Sequence, residues 1–279
     1  MADSQDRSMA LFCDFENVAL GVRDARYDKF DINRVLERLL LKGSIVVKKA
    51  YCDWERYKDF KAPMHGASFE LIEIPHVRQS GKNSADIRMV VDALDLCYTK
   101  AHVDTFVIIS GDSDFSPLVS KLRENDKTVI GVGVKNSSSD LLIANCDEFI
   151  FYDDLVREEE QKKRSRKRRA AKKPAKAEGK AEAEAPSSGA QHPDDRRAEA
   201  LDLILDTIEA LHRERGENEK IWGSMVKQAL KRRNPGFNES SYGFKAFSDL
   251  LEEAEKSKLL ELERDEKSGG YVIRAVHGE

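Results

Sequence analysis

Met9-Ala10-Leu11-Phe12-Cys13-Asp14-Phe15-Glu16-Asn17 is the stretch that decides the fold, a short apolar run that stops at an acid. From Met9 onward such β-rich runs alternate with helical patterns, the signature of βα units on a parallel sheet. Strands are expected at Ala10 to Cys13, Ile45 to Cys52, Phe69 to Ile74, Phe106 to Ser110, Val129 to Val134 and Phe149 to Tyr152. Between the first two, Ile32, Val35, Leu36, Leu39 and Leu40 keep the i, i+3, i+4, i+7, i+8 spacing of a buried helix face. Ile87, Val90, Val91 and Leu94 are expected to do the same between the third and fourth. Joined by right-handed crossovers, these units make an open α/β sheet with helices on both faces, over residues 9–155.

After Leu155 the pattern breaks. Glu158-Glu159-Glu160 leads into a basic run from Lys162 to Lys176 and then an Ala/Glu/Pro/Ser/Gly stretch to Pro193. Residues 156–195 hold too little apolar surface to offset the entropy of ordering, so a disordered linker is expected, with a helical start continuing from Asp154. Periodicity returns in Leu201, Ile204, Leu205, Ile208 and Leu211, then Ile221, Met225, Val226, Ala229 and Leu230, then Phe244, Phe247, Leu251 and Ala254. Two short β runs follow, Leu259 to Leu262 and Tyr271 to Ile273, around a Gly269-Gly270 turn. Three helices and a terminal hairpin describe a small winged helix-turn-helix domain over residues 196–276.

The net charge of -4 conceals three blocks. Residues 1–156 hold 20 Lys/Arg against 26 Asp/Glu, residues 157–193 hold 12 against 6, and residues 194–279 hold 15 against 19. A polyanion would therefore meet concentrated positive charge in the middle segment and only local basic patches elsewhere. The start has no apolar run of signal-peptide length and nowhere do 18 apolar residues follow one another, so a cytoplasmic protein without membrane association is expected. Cys13, Cys52, Cys97 and Cys146 form no CxxC pair, which argues against disulfides and a zinc knuckle, and the first three adjoin apolar segments.

Ligands of an open parallel sheet bind beyond the carboxyl ends of its strands. Here those positions are acidic: strand one ends in Asp14-Phe15-Glu16-Asn17, strand four in Ser110-Gly111-Asp112-Ser113-Asp114, and the helix opening at Ser84 has Asp86 in its first turn. Carboxylates gathered at one edge repel unless a cation sits among them, and Mg²⁺ and Mn²⁺ prefer oxygen ligands. Such an ion lowers the pKa of water and clamps a phosphate oxygen, as phosphodiester hydrolysis requires. Arg78, Lys82 and Arg88 flank Asp86, and Lys135-Asn136-Ser137-Ser138 follows strand five as a phosphate-friendly loop.

Each acid has a plainer explanation. Asp86 could be a first-turn helix acid, and Asp14 could start a turn with Asn17 in the left-handed region. Asp112 and Asp114 could make a turn or cap, yet Ser116 before Pro117 already supplies one and leaves both surplus. Coincidence in three separate segments is harder to sustain. Other chemistries fit less well: an aspartyl phosphatase wants aspartate where Glu16 stands, a receiver domain wants one after strand three where Ile74-Pro75 stand, and His65, His76 and His102 form no pairing.

The set Asp14-Phe15-Glu16-Asn17, Lys82 with Asp86 and Asp92, Ser110-Gly111-Asp112-Ser113-Asp114-Phe115 and Asn145-Cys146-Asp147-Glu148-Phe149 resembles the NYN domain, a branch of the PIN-like nucleases, over Met9 to Leu155. The resemblance implies a PIN-like α/β fold and a Mg²⁺ or Mn²⁺ site, with Asp14, Asp86, Asp112 and Asp114 as catalytic and metal acids and Asn17 and Ser110 orienting them. Asp92 fits less well, lying about 120° around the helix from Asp86. Arg197 to Ala275 resembles a LOTUS domain, also called OST-HTH, through Pro235-Gly236-Phe237 and Tyr242-Gly243-Phe244-Lys245-Ala246-Phe247. That resemblance implies RNA binding, with Lys245 in the motif. Lys227, Lys231, Arg232 and Arg233 would add a phosphate-positioning basic face on the second helix, while Phe244 and Phe247 read as core. The expected function is a metal-dependent endoribonuclease acting on single-stranded or structured RNA. The alternative is a non-catalytic RNA-binding regulator with a silent acidic site. RNA against DNA, and the oligomeric state, stay open.

Overall fold

In the computed structural model, which describes residues 7–74, 84–161, 193–216, 219–265 and 269–276, the alternation of apolar runs becomes one six-stranded sheet. Strands β1 (Arg7–Asp14), β2 (Gly43–Cys52), β3 (Glu70–Glu73), β4 (Thr105–Ile109), β5 (Thr128–Gly133) and β6 (Glu148–Phe151) lie in the order β3-β2-β1-β4-β5-β6, each parallel to its neighbours. β1 is apolar without alternation because both of its faces are covered. Met9, Leu11 and Cys13 face a core shared with α1 (Phe15–Asp24), α2 (Ile32–Leu40), α3 (Lys58–Gly66) and α7 (residues 152–161). Ala10 and Phe12 face a second core shared with α4 (Ser84–Thr99), α5 (Ser116–Glu124) and α6 (Asp140–Asn145).

From β1 the chain builds outward through β2 to β3, then returns through α4 to β4 on the other side of β1. Strand order therefore reverses between β1 and β4. The connections leaving those two strands depart to opposite faces, which opens a crevice at their carboxyl ends.

All six expected strands are present, with ends displaced by a few residues. The buried face of α2 is Ile32, Val35, Leu36 and Leu39, as its spacing predicts. The face expected for α4 is corrected in part: Val90 and Leu94 pack, partly buried, against the second core, but Ile87 and Val91 are 62% and 55% exposed, and the fully buried residues are Met89, Ala93 and Cys97. The buried row is an i, i+4, i+8 set of one large and two small side chains. Helices α1 and α3 went unread in the sequence. α1 starts with no residue between it and β1, and α3 carries Pro63 and buries only Met64.

The chain divides into two compact units, residues 1–173 and 174–279. The second contains α8 (Pro193–Arg215), β7 (Ile221–Trp222), α9 (Gly223–Arg233), α10 (Phe247–Lys256), β8 (Leu260–Arg264) and β9 (Tyr271–Val276), its strands forming an antiparallel sheet in the order β7-β9-β8. This is the expected arrangement of three helices and a terminal hairpin. Ile204, Ile208, Val226, Leu230, Leu250 and Leu251 fill its interior, and Phe244 and Phe247 are buried as expected. Ile221, expected on the second helix, instead pairs with Ile273 in the sheet. The helical start of the linker is present in α7, while residues 162–192 lie outside the described residues. Cys13, Cys52 and Cys97 are buried free thiols. Among the described residues no helix is long and apolar enough to cross a membrane.

The α4 packing makes a direct prediction. Met89→Ala should destabilise the first unit by about 2–5 kcal/mol through the cavity it leaves, whereas Ile87→Ala and Val91→Ala should each change stability by less than about 0.5 kcal/mol. Urea unfolding reads both, and equal costs at the three positions would contradict the observed face.

Candidate active site

β1 passes into α1 at Asp14, which is both the last residue of the strand and the N-cap of the helix. Its Oδ1 accepts the Asn17 backbone N–H at 3.3 Å, satisfying one of the amides a helix start leaves free. Phe15 then anchors the turn. It is fully buried, with ring centroids of Trp54 and Phe60 at 5.0 Å, Tyr57 at 5.5 Å and Phe30 at 6.0 Å. Asp14 is thereby held at the sheet edge and is itself only 8% exposed.

The end of β4 closes on it. The buried Ser110 hydroxyl donates to Asp14 Oδ2 at 3.0 Å and accepts the Asp112 N–H at 3.2 Å. Asn17 Oδ1 accepts the Gly111 N–H at 2.8 Å, and the Gly111 carbonyl accepts the Ser139 N–H at 2.9 Å. A Cβ on Gly111 would stand 2.5 Å from the Ser137 carbonyl oxygen, so only glycine lets the loop after β5 approach this closely. That loop is fixed from behind by Asp153, whose carboxylate accepts the Lys135 N–H at 2.8 Å and the Tyr27 hydroxyl at 3.0 Å.

The acids share a field. Burial, and next the charge of Asp86, raise Asp14 to about 7 against the opposing hydrogen bonds from Ser110 and Asn17. Burial raises Asp86 to about 6, helped by Asp112, Asp114 and Glu16. None of Asp14, Asp86, Asp112 and Asp114 forms an ion pair with a described residue. Asp92 contrasts with them. It accepts the Tyr51 hydroxyl at 2.9 Å and pairs with Arg88 at 3.0 Å and Lys49 at 3.5 Å, on a different side of α4. Among the described residues no three His, Cys, Asp or Glu side chains converge closely enough to grip an ion as they stand.

Of the residues expected at the site, Asp14, Asn17, Ser110 and Asp112 are joined by one hydrogen-bond chain, and Asp86 joins them through its field. Asp112 is not surplus. Its carboxylate caps the 3-10 turn Ser113–Phe115 by accepting the Asp114 N–H at 2.9 Å, while Ser116 lies inside α5 rather than capping it. Asn17 lies within α1 rather than in the left-handed region. Lys135 is exposed on the loop against Gly111, Arg88 is engaged by Asp92, and Arg78 and Lys82 lie outside the described residues. In the second unit Lys231 and Lys245 are exposed. Lys227 pairs with Glu239 at 2.8 Å, and Arg233 donates to the Thr207 hydroxyl at 3.5 Å with Arg232 half-buried beside it. Sequence reasoning gave no role to Glu16, Arg56 or Asp153. Searching the end of β2 as well as β1 and β4 would have reached Arg56.

A family model described as the NYN domain matches residues 8–153. An uncharacterized protein of Methanocaldococcus jannaschii is 27% identical over 137 residues, 48% of this chain, and the chain spans 54% of that relative's length. The crystal structure of a Vibrio parahaemolyticus protein of unknown function shares 28% identity at a TM-score of 0.49, covering 56% of this chain and 98% of the other. The acidic crevice lies wholly within the matched segment, and the chain belongs to the NYN domain family, a branch of the PIN-like nuclease superfamily.

Proposed function

We propose that this chain is a Mg²⁺- or Mn²⁺-dependent endoribonuclease acting at the β1/β4 crevice, and that its second unit is a LOTUS-type winged helix that delivers RNA. The observation that carries the reading is Asp14, a buried carboxylate without a cation partner among the described residues. Buried charges persist when they are paired or ligate a metal. The donors fit a hard divalent ion, because Mg²⁺ keeps several waters and needs only one or two protein carboxylates.

Asp14 and Asp86 would hold the ion, with Asp112 and Asp114 adding negative charge around it. When bound, the ion neutralises a phosphate oxygen and lowers the pKa of water. The protein's own groups position the acids. Ser110 fixes the Asp14 carboxylate by donating to Oδ2, and Asn17 ties α1 to the end of β4 through Gly111. Lys135 is available to substrate phosphates beside them, and Lys231, Lys245 and the basic run from Lys162 to Lys176 supply positive charge for RNA. Hydrolysis by water would leave 5′-phosphate and 3′-hydroxyl ends. The spacing of the acids supports one rival reading, a non-catalytic RNA-binding regulator with a silent acidic site.

Turnover separates the two. Single-stranded RNA should be cleaved in Mn²⁺ and not in chelator, and DNA of the same sequence should compete poorly. Asp14→Asn and Asp86→Asn should each cut the rate by at least about a hundredfold while RNA affinity stays within a few-fold. Full activity in either variant, or cleavage that survives chelation, would remove those acids from the site.

The raised acids also make a substrate-free prediction. A carboxyl whose folded pKa lies above its unfolded value contributes stability that is complete below the unfolded pKa and disappears as pH rises through the folded one. For Asp86 that window runs from its ordinary value of 3.8 to about 6. In chelator, Asp86→Asn should therefore melt with the wild type below this window and above it once pH exceeds about 6, and Mn²⁺ should raise the wild type more. A variant melting lower throughout would show that Asp86 stabilises the fold.

A further inference from the structure

β2 ends beside β1, with Tyr51 in register with Asp14, so the segment that follows it rises at the same sheet edge as the acids. Two aromatic residues fix that segment. Trp54 is buried, its indole N–H donated to the Ile72 carbonyl at 3.2 Å and its backbone N–H to the Glu73 carboxylate at 3.0 Å. Tyr57 meets the Phe15 ring edge-on. Between them Arg56, 52% exposed, donates Nη1 to Glu16 Oε1 at 3.1 Å. Glu16 stands in the first turn of α1, two residues from Asp14, and is one of the charges acting on Asp86.

A guanidinium on a rigid loop is thus held at the rim of an edge that otherwise presents unpaired carboxylates. A polyanion approaching that edge is repelled, and on the β2 side, away from Lys135, Arg56 offers a fork-shaped donor matched to phosphate oxygens that can offset the repulsion. Exposed ion pairs hold their partners weakly, so a phosphate can take Arg56 from Glu16. We propose that Arg56 is a phosphate-binding residue of this site and that Glu16 competes for it, so the Arg56–Glu16 pair sets how tightly the backbone of single-stranded RNA is held beside the acids. The identity of that polyanion rests on the RNA-cleaving reading above, but its binding requires no turnover.

The test is binding of fluorescein-labelled octauridylate to the full chain in chelator, followed by anisotropy across a salt series. Arg56→Ala should weaken binding about tenfold and lower the logarithmic salt slope by about 0.7, the loss of one single-strand phosphate contact. Arg56→Lys, which keeps the charge without the fork, should fall between it and the wild type. Glu16→Gln should tighten binding about threefold, because the competing carboxylate is gone. Opposite signs at the two ends of one ion pair are the signature, since a pair that only braces the loop would shift both variants the same way. Loss of affinity in both, no change in Arg56→Ala, or no binding by the wild type overturns the assignment. Binding with the expected signs but no cleavage in Mn²⁺ would overturn the nuclease reading alone.

Discussion

The direct passage of β1 into α1 at Asp14 constrains everything else at the candidate site. A strand end and a helix start share one residue, so the side chain that caps the helix also points into the crevice at the sheet edge. Its position is then set by two rigid elements rather than by a loop. Phe15 locks the junction from below through its cluster with Trp54, Tyr57 and Phe60, and the same cluster fixes the segment after β2 that carries Arg56. Ser110 and Gly111 lock it from the side through Asp14 and Asn17. Packing and hydrogen bonding thus bring the ends of β1, β2 and β4 and the loop after β5 together.

The fold opposes its own electrostatics there. Asp14 loses water and stands in the field of Asp86 and Asp112, and its two hydrogen bonds leave its pKa raised to about 7. Elsewhere in the first unit partly buried acids are compensated, as Asp92 is by Arg88, Lys49 and Tyr51 and Asp153 is by Tyr27 and the Lys135 amide. The uncompensated acids lie at the strand-order reversal, where an open parallel sheet places its ligands. Their cost to the metal-free protein and their suitability for a divalent ion have the same origin, which is why stability and catalysis are expected to respond to the same substitutions.

Much of this was legible in the sequence. Unbroken apolar runs such as Met9 to Cys13 mark strands covered on both faces, and acids directly after such runs mark the edge. The buried face of α4 was legible only in part: Val90 and Leu94 pack on the core as their spacing predicts, but Ile87 and Val91, more hydrophobic than Ala93 and Cys97, are left outside while those smaller residues are buried. The reading of Asp112 as a cap was set aside because Ser116 offered the stronger local signal, whereas the chain spends the residues before α5 on a separate 3-10 turn. The pairing of Arg56 with Glu16 gave no signal, since their meeting depends on the register of β1 with β2, which sequence spacing does not encode.

The most direct test of the central claim is crystallographic. Crystals of the full chain soaked in Mn²⁺ and measured at the manganese absorption edge should show an anomalous peak in contact with the carboxylates of Asp14 and Asp86, and that peak should vanish in Asp86→Asn. A peak confined to other surface acids, or none at the β1/β4 crevice at millimolar Mn²⁺, would contradict the account and leave the acidic edge as a structural feature of the turn from β1 into α1.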